Sequence, residues 1–496
     1  MSELVKVGIF WAVPNGVGDQ SAVEFSKRCA LSEADSTGFI NYRYSHFEMW
    51  DYIKDTGTDD CYRFPRGRVI FDAVKNRHLI YADECVSAEV IEEIVGLYEI
   101  ENYELRRDEH YVCTDCEQEE LKYSILRGQD KIGENLIEIC YGETKILVEL
   151  GRALDGGYGQ FEHDILKKSY SAVIVSHYHE DHAGLIKYKR DCPVYIGSGA
   201  YRIVKAMSDF RGEDVQKNIK TYRNAKPFKI GEIKVTPYLC DHSAYDSYML
   251  LFEAGGQSIL YTGDFRFHGR KDKDKLLSAL PKSVDVLIHE GTNIGKNSCT
   301  MTEAELEQRA VEIMKSTEGP VFVLQSGTNV DRLVSVYRAS KKSGRITYMD
   351  NYTSLIAQAA GGSIPRPDNF NDVIAFTTRP VRGKRRDMFM QIKNKRGLKD
   401  IANGTERFTM LVRPSMAEYM KKLISLAHMH GVTLIYSIWK GYKEQEYMSA
   451  FLEEMKMAGV NIVDLHTSGH ASAEDIILLK QTVGARLTVC VHTEKN

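Results

Sequence analysis

The sequence predicts an α/β protein of more than one domain, and three observations lead there. The chain has 496 residues of average globular composition, 43% hydrophobic and 27% charged, enough for two or three domains with a core each. Ala172, Val173, Ile174 and Val175 form an uninterrupted apolar run that passes straight into a polar loop. That is the pattern of a buried strand whose C-terminal end opens a functional site. Between 318 and 458, short apolar runs alternate with helical periodicities, as in a parallel sheet with crossover helices.

Taken in order, residues 1–118 read as a small N-terminal α/β domain. Residues 5–12 read as a strand, and 67–72 with 78–83 as a hairpin around Lys75, Asn76 and Arg77. Residues 87–98 read as an amphipathic helix, with Val90, Ile91, Ile94, Val95 and Tyr98 on one face and Ser87 as N-cap. The acidic stretch 115–120 reads as a linker. The next part, 119–317, opens on a hairpin (134–139 with 144–150) and contains the 172–175 strand. Residues 318–458 hold a strand at 321–324, a helix at 330–340 and a strand at 345–349. Residues 459–496 form the last segment.

The loop after 172–175 carries His177, His179, Asp181 and His182 within six residues. Imidazole nitrogen and carboxylate oxygen suit zinc and its neighbours in the first transition row. The bland alternative is a chance cluster on a polar surface, and so dense a set of ligand-type side chains argues against it. His177 and His179, two apart in an extended loop, point to one side and can share a metal. Asp181 and His182 follow a bend and can turn toward a second metal. Two metals about 3.5–4 Å apart can clamp the attacking and leaving oxygens of a phosphodiester displacement. Such a site needs more ligands from later in the chain, including a bridging carboxylate.

This segment resembles the His-x-His-x-Asp-His signature of the metallo-β-lactamase superfamily. His242, in Cys240-Asp-His-Ser243, resembles the family's third ligand block, and Asp264, in Tyr261-Thr-Gly-Asp264, its bridging aspartate. Residues 145–151 resemble the strand that ends in the first motif, with Glu149 where members usually carry Asp. Further matches resemble the β-CASP nucleases, the group that includes ribonuclease J. Glu290 ends a strand as motif A does, His470 lies in a Ser-Gly-His-Ala context as motif B does, and His492 ends a strand as motif C does. Residues 325–329 and 434–442 also look like ribonuclease J-type sequence. The resemblance covers roughly 120–496, in the same order along the chain.

The resemblance implies an αββα metallo-β-lactamase sandwich, interrupted at 318–458 by an inserted α/β β-CASP domain and completed by 459–496. It implies one metal on His177, His179 and His242, a second on Asp181, His182 and His492, and Asp264 between them. The cofactor is then a pair of divalent ions, Zn2+ first and Mn2+ second. The implied activity is RNA cleavage by metal-activated water, with Asp181, His470 and Glu290 in catalytic roles. His470 serves as general acid or phosphate contact, and Glu290 orients its ring. His at motif C is associated in the family with RNA. Alternatives are a DNA nuclease of the same fold, a lactonase- or thioesterase-like metallohydrolase, and a non-catalytic nucleic-acid-binding protein. Ribonuclease J-type proteins carry a further domain after the position of His492, and their usual N-terminus lacks a counterpart of residues 1–118.

The formal net charge is −4, so a polyanion would need a local basic wall. The most basic window holds Arg382, Lys384, Arg385 and Arg386 and reads as a phosphate-tracking face, against the alternative of a solvated surface. Ser326, Thr328 and Asn329 precede a helix and are candidates for a phosphate at its N-terminus, with Ser437 a lesser one. No 18-residue apolar run and no signal-like N-terminus is present, so a cytoplasmic protein without a membrane partner is expected. The expected partner is single-stranded RNA, and a homo-oligomer is compatible with the sequence. The ten cysteines read as mostly buried thiols. Cys113 and Cys116 are the one close pair. A structural zinc would need two more ligands, such as Cys61 and Cys85, neither of which belongs to a second close pair.

Overall fold

The computed structural model describes residues 5–7, 10–12, 51–54, 60–64, 67–72, 77–82, 91–92, 95, 103–107, 120–153, 159–295, 301–379, 383–404 and 407–493. The chain forms two compact units, Met1–Glu119 and Glu120–Asn496.

In the first unit, Asp51–Lys54, Asp60–Phe64, Gly67–Asp72, Arg77–Ala82 and Tyr103–Arg107 make one sheet in that order. Gly67–Asp72 and Arg77–Ala82 pair antiparallel, as the hairpin reading expected, and only the last pair is parallel. Residues 5–12 do not form one strand: Val5–Val7 and Phe10–Ala12 pair with each other, Val7 opposite Phe10. Ile91, Glu92 and Val95 are helical and Ile91 is buried, while the remainder of the 87–98 helix lies outside the described residues. So do the 115–119 stretch and the Cys113, Cys116 and Cys85 positions.

The second unit contains three six-stranded sheets. The first runs Ile219–Tyr222, Val194–Gly197, Ala172–Ile174, Thr144–Val148, Leu136–Tyr141, Lys122–Arg127. The second runs Phe228–Ile230, Ile233–Cys240, Ser247–Ala254, Gln257–Tyr261, Val286–Glu290, Leu487–Val491. Ile146, Ala172 and Ile174 of one pack against Leu250, Phe252, Ile259 and Ile288 of the other. Leu147, Val173 and Val194 face the opposite way, toward Ile165, Ala200 and Ile203 of helices Gln160–Lys167 and Ser198–Arg211. The second sheet likewise covers its outer face with Leu276, Ile476 and Leu479 of helices Lys273–Ala279 and Ala473–Val483. This αββα layering explains the unbroken apolar run at 172–175: a strand covered on both faces has no polar side to alternate with.

The third sheet runs Val373–Phe376, Ile346–Asp350, Phe408–Val412, Val321–Leu324, Thr433–Tyr436, Asn461–Asp464, and every pair is parallel. It enters the chain between two neighbouring strands of the second sheet. Val286–Glu290 precedes it and Leu487–Val491 follows it, and the two pair in parallel with Glu290 opposite Val491. That pairing carries the end of the sequence back to the middle of the fold. Among the described residues no helix is long and apolar enough to cross a membrane.

Candidate metal centre

The chemistry-bearing side chains lie at or just beyond the C-terminal ends of strands, where α/β sheets present their sites. Glu149 follows Thr144–Val148, His177 follows Ala172–Ile174, and His242 follows Ile233–Cys240. Asp264 follows Gln257–Tyr261, Glu290 ends Val286–Glu290, and His492 follows Leu487–Val491. His179 sits at the N-cap of the short helix Glu180–Ala183, which carries Asp181 and His182 and brings the His182 ring centroid to 4.1 Å from that of His177. A Cβ on Gly151 would stand 1.8 Å from the Asp181 carbonyl oxygen, so glycine lets the two segments meet. Glu149 and His492 both hold left-handed backbone, φ +64° and +54°, a strained conformation for side-chain-bearing residues that concentrates at functional sites.

Three groups of donors result among the described residues. His177, His179 and His242 form one, Asp181, His182, Asp264 and His492 another, and Asp264, Glu290, His470 and His492 a third, each with its donor atoms within 4.8 Å of one another. Asp264 Oδ2 lies 3.9 Å from His177 Nε2, 3.8 Å from His242 Nε2 and 3.2 Å from His182 Nε2, and so stands between the groups. His492 Nε2 is 3.2 Å from Asp181 Oδ2. His177 Nε2 and both Asp264 oxygens are buried without a hydrogen-bond partner. Buried polar atoms left unpaired are costly, and a carboxylate bare at both oxygens is the donor that a cation satisfies. Burial, then neighbouring imidazoles, holds His177 and His242 well below the usual histidine range, and burial takes His179 to about 4. Neutral imidazoles are the form that binds a metal. The residues therefore fit divalent metal binding.

A family model described as "Beta-lactamase superfamily domain" matches residues 161–325. Ribonuclease J of Helicobacter pylori (strain ATCC 700392 / 26695) is 23% identical over 417 residues, covering 78% of this chain and 58% of that protein. Ribonuclease J of Mycoplasma genitalium is 22% identical over 396 residues, covering 74% of this chain and 67% of that one. Residues 161–325 match the metallo-β-lactamase superfamily domain, and the chain is similar to ribonuclease J. It spans 58% of the length of the Helicobacter relative. A crystal structure of a protein of unknown function from Enterococcus faecalis V583 shares the fold, with a TM-score of 0.62 at 19% identity over 75% of this chain and 93% of that one.

Around the metallo-β-lactamase donors lies a second ring of contacts. Glu149, standing where the family usually has Asp, accepts from Ser176 N at 3.1 Å and lies 3.4 Å from His182 Nδ1. Its longer side chain thus reaches the back of His182. His242 Nδ1 donates to Gly469 O at 2.6 Å, and His177 Nδ1 lies 3.0 Å from Ser176 Oγ. His470 Nδ1 is 3.0 Å from Glu290 Oε2 and 3.5 Å from Asp264 Oδ2. Burial alone would lower His470, but Glu290 and then Asp264 outweigh it and bring its pKa up to about 9.

Several residues in this ring carry no motif of their own. Thr292 Oγ1 lies between His492 Nδ1 (2.8 Å) and His470 Nδ1 (3.2 Å). Asn293 Nδ2 donates to His470 O and Ala471 O, fixing the turn that presents His470. Asn135 Nδ2 is 3.1 Å from His182 Nε2. His268 Nε2 donates to Ser468 O. Arg266 binds Asp241, Glu303, Asp331 and Ser468 O, and Arg332 binds Glu303, Ser437 and Thr467 O. The only signal for Thr292 and Arg266 in the sequence is their nearness to motif residues. His289 is buried and His466 half-buried; His289 Nδ1 donates to Glu290 O, and desolvation takes His466 down to about 3.

The candidate substrate residues fare unevenly. Ser326 is exposed, with its hydroxyl 3.0 Å from that of Thr328. Tyr178, between two metal-site histidines, donates to Thr328 O at 3.0 Å and so pins this loop beside the centre. Asn329 is the N-cap of Val330–Lys342, and its Oδ1 accepts from Arg332 N, which spends that oxygen inside the protein. Ser437 is corrected: it is buried, accepts from Arg332 at 2.6 Å and donates to Leu465 O at 2.6 Å, so its hydroxyl is an internal tie. Arg385 is exposed, donates to Phe210 O and lies over the Phe210 ring at 4.7 Å. Arg386 is exposed, while Arg382 and the Lys384 side chain lie outside the described residues.

Proposed function

We propose that this chain is a metal-dependent hydrolase that cleaves RNA phosphodiester bonds. One observation carries the reading: Asp264 and His492, far apart in sequence from His182, lie within 3.5 Å of each other and close over the same buried donor set. His177, His179 and His242 would hold one divalent cation, and Asp181, His182 and His492 a second, with Asp264 shared and zinc ahead of manganese by donor chemistry. When bound, such a pair supplies Lewis acidity, lowers the pKa of a water and offsets the charge that builds on phosphorus.

The protein's own groups do the rest. Glu149, Ser176 and the Gly469 carbonyl fix the rotation of His182, His177 and His242. With Nδ1 engaged by Glu290, His470 keeps Nε2 for the substrate, to deliver a proton to the leaving oxygen or to grip the phosphate. Ser326 and Thr328, at the edge of the same pocket, offer hydroxyls to a neighbouring phosphate. The ribonuclease J relatives and His at position 492 support RNA as the substrate, and a cytoplasmic setting is part of the same proposal.

The test is a panel. Purified protein supplied with zinc or manganese is offered labelled single-stranded RNA, matched DNA and a generic ester. RNA cleavage that stops on chelation supports the reading. Hydrolysis of the ester alone overturns it, and equal cutting of DNA makes the chain a general nuclease.

A further inference from the structure

The strand Thr433–Tyr436 ends in a turn that displays two large rings to solvent, and the helix Glu446–Met457 that follows displays a third. Trp439 is 59% exposed, Tyr442 39% and Tyr447 55%. Exposed apolar rings cost solvation free energy, so such a group calls for an account. These rings are held in place by the turn. Trp439 and Tyr442 pack edge to face, with centroids 5.5 Å apart and planes at 85°. Tyr436 OH donates to Trp439 O, and Tyr442 N donates to the same oxygen. Lys443 ties the turn to Asp464 at 2.6 Å. A Cβ on Gly441 would stand 2.2 Å from the Trp439 ring, so the indole lies flat on a backbone that only glycine leaves open.

The turn also lies beside the metal centre. Ser437, two residues before Trp439, donates to Leu465 O, and Arg332 spans Ser437 O and Thr467 O. The segment from Leu465 leads directly to His470. Two residues beyond Thr467, Gly469 O accepts from His242 Nδ1 at 2.6 Å, so the strand end that bears the turn is tied to the segment that contacts the donor set. Lys440, next to the indole, is an exposed cation.

We propose that Trp439 and Tyr442 form a stacking platform for an unpaired base of the nucleic acid whose backbone lies at the metal centre. The inference rests on the nuclease reading above and deepens it. A π-face accepts any base, so the platform confers grip without sequence choice. A base already stacked in a duplex cannot lie on it, so the platform favours single strands. Pre-set rings lose little rotational freedom on binding, which keeps the contact strong. Lys440 is placed to meet the phosphate of the stacked nucleotide.

The chain has three tryptophans, so Trp11→Phe with Trp50→Phe leaves Trp439 as the sole indole. Mixing this protein with a phosphorothioate-linked single-stranded oligoribonucleotide should quench its emission, and the matched duplex should not. Trp439→Ala should raise KM for single-stranded RNA about tenfold, with a smaller change in kcat, and Trp439→Phe should recover most of it. An abasic oligomer should be insensitive to the substitution. Unchanged KM in Trp439→Ala overturns the proposal. So does equal quenching by duplex, or a shift in oligomeric state without any KM effect, which would make the rings a protein contact. If wild-type protein cuts no RNA, the nuclease reading fails by itself, and the quench still decides whether the rings stack a base.

Discussion

Glu303 offers a quantitative test of how the third sheet is locked to the sandwich. It is fully buried at the start of helix Glu303–Ser316. Its carboxylate accepts from Arg266 Nη1 at 3.2 Å, Arg332 Nη2 at 3.2 Å and Ser335 Oγ at 2.7 Å. Burial pushes its pKa up, but Arg332 and then Arg266 outweigh that and bring it from 4.5 to about 2. A drop of that size is worth about 3 kcal/mol of stability at neutral pH. Removing one member of a buried ion network costs about 3–5 kcal/mol by an independent route, because the partner charges are left uncompensated. Glu303→Gln should therefore destabilise by about 3 kcal/mol in urea unfolding at pH 7. The sign with pH is fixed by the depressed pKa: the stabilisation is complete above 4.5 and is lost as pH falls toward 2. The gap between wild type and variant should hold down to about pH 5 and shrink to about half by about pH 3. A gap equal at pH 7 and pH 3, or below about 1 kcal/mol at pH 7, would refute the ionic account of this junction.

Other outcomes follow from the same contacts. His177→Ala and Asp264→Asn should each lower bound metal, read by elemental analysis, because each removes a donor whose buried atoms have no other partner. His470→Ala should retain its metal yet lose about 10²–10⁴ in kcat; loss of metal instead would make it a ligand. Tyr178→Phe removes a hydroxyl that donates to Thr328 O and accepts from Tyr245 N, and should cost about 1–3 kcal/mol in unfolding free energy. Gly441→Ala should displace the Trp439 indole and raise KM for single-stranded RNA while leaving metal content intact.

How much was legible beforehand differs from residue to residue. The apolar run at 172–175 and the histidines after it mark strand and site together, because a doubly covered strand and a ligand loop both leave dense local patterns. The alternation after 318 announced the parallel sheet for the same reason. The 5–12 segment misled, since two three-residue strands that pair with each other look like one longer strand when every residue but Lys6 is apolar or small. Ser437 misled because a strand end looks equally open whether or not a buried arginine from another helix waits there.

The sequence by itself determined which residues are candidates for the chemistry: imidazoles and acids at fixed local spacings are written in the chain whatever its fold. Only the tertiary structure decided that His492 closes over Asp264, that Thr292 braces His492 and His470, and that Arg332 ties the end of strand Thr433–Tyr436 to the segment leading to His470. Those placements come from the parallel pairing of Val286–Glu290 with Leu487–Val491, strands about 200 residues apart. Strand order is set by burial of whole faces, and no local pattern encodes it.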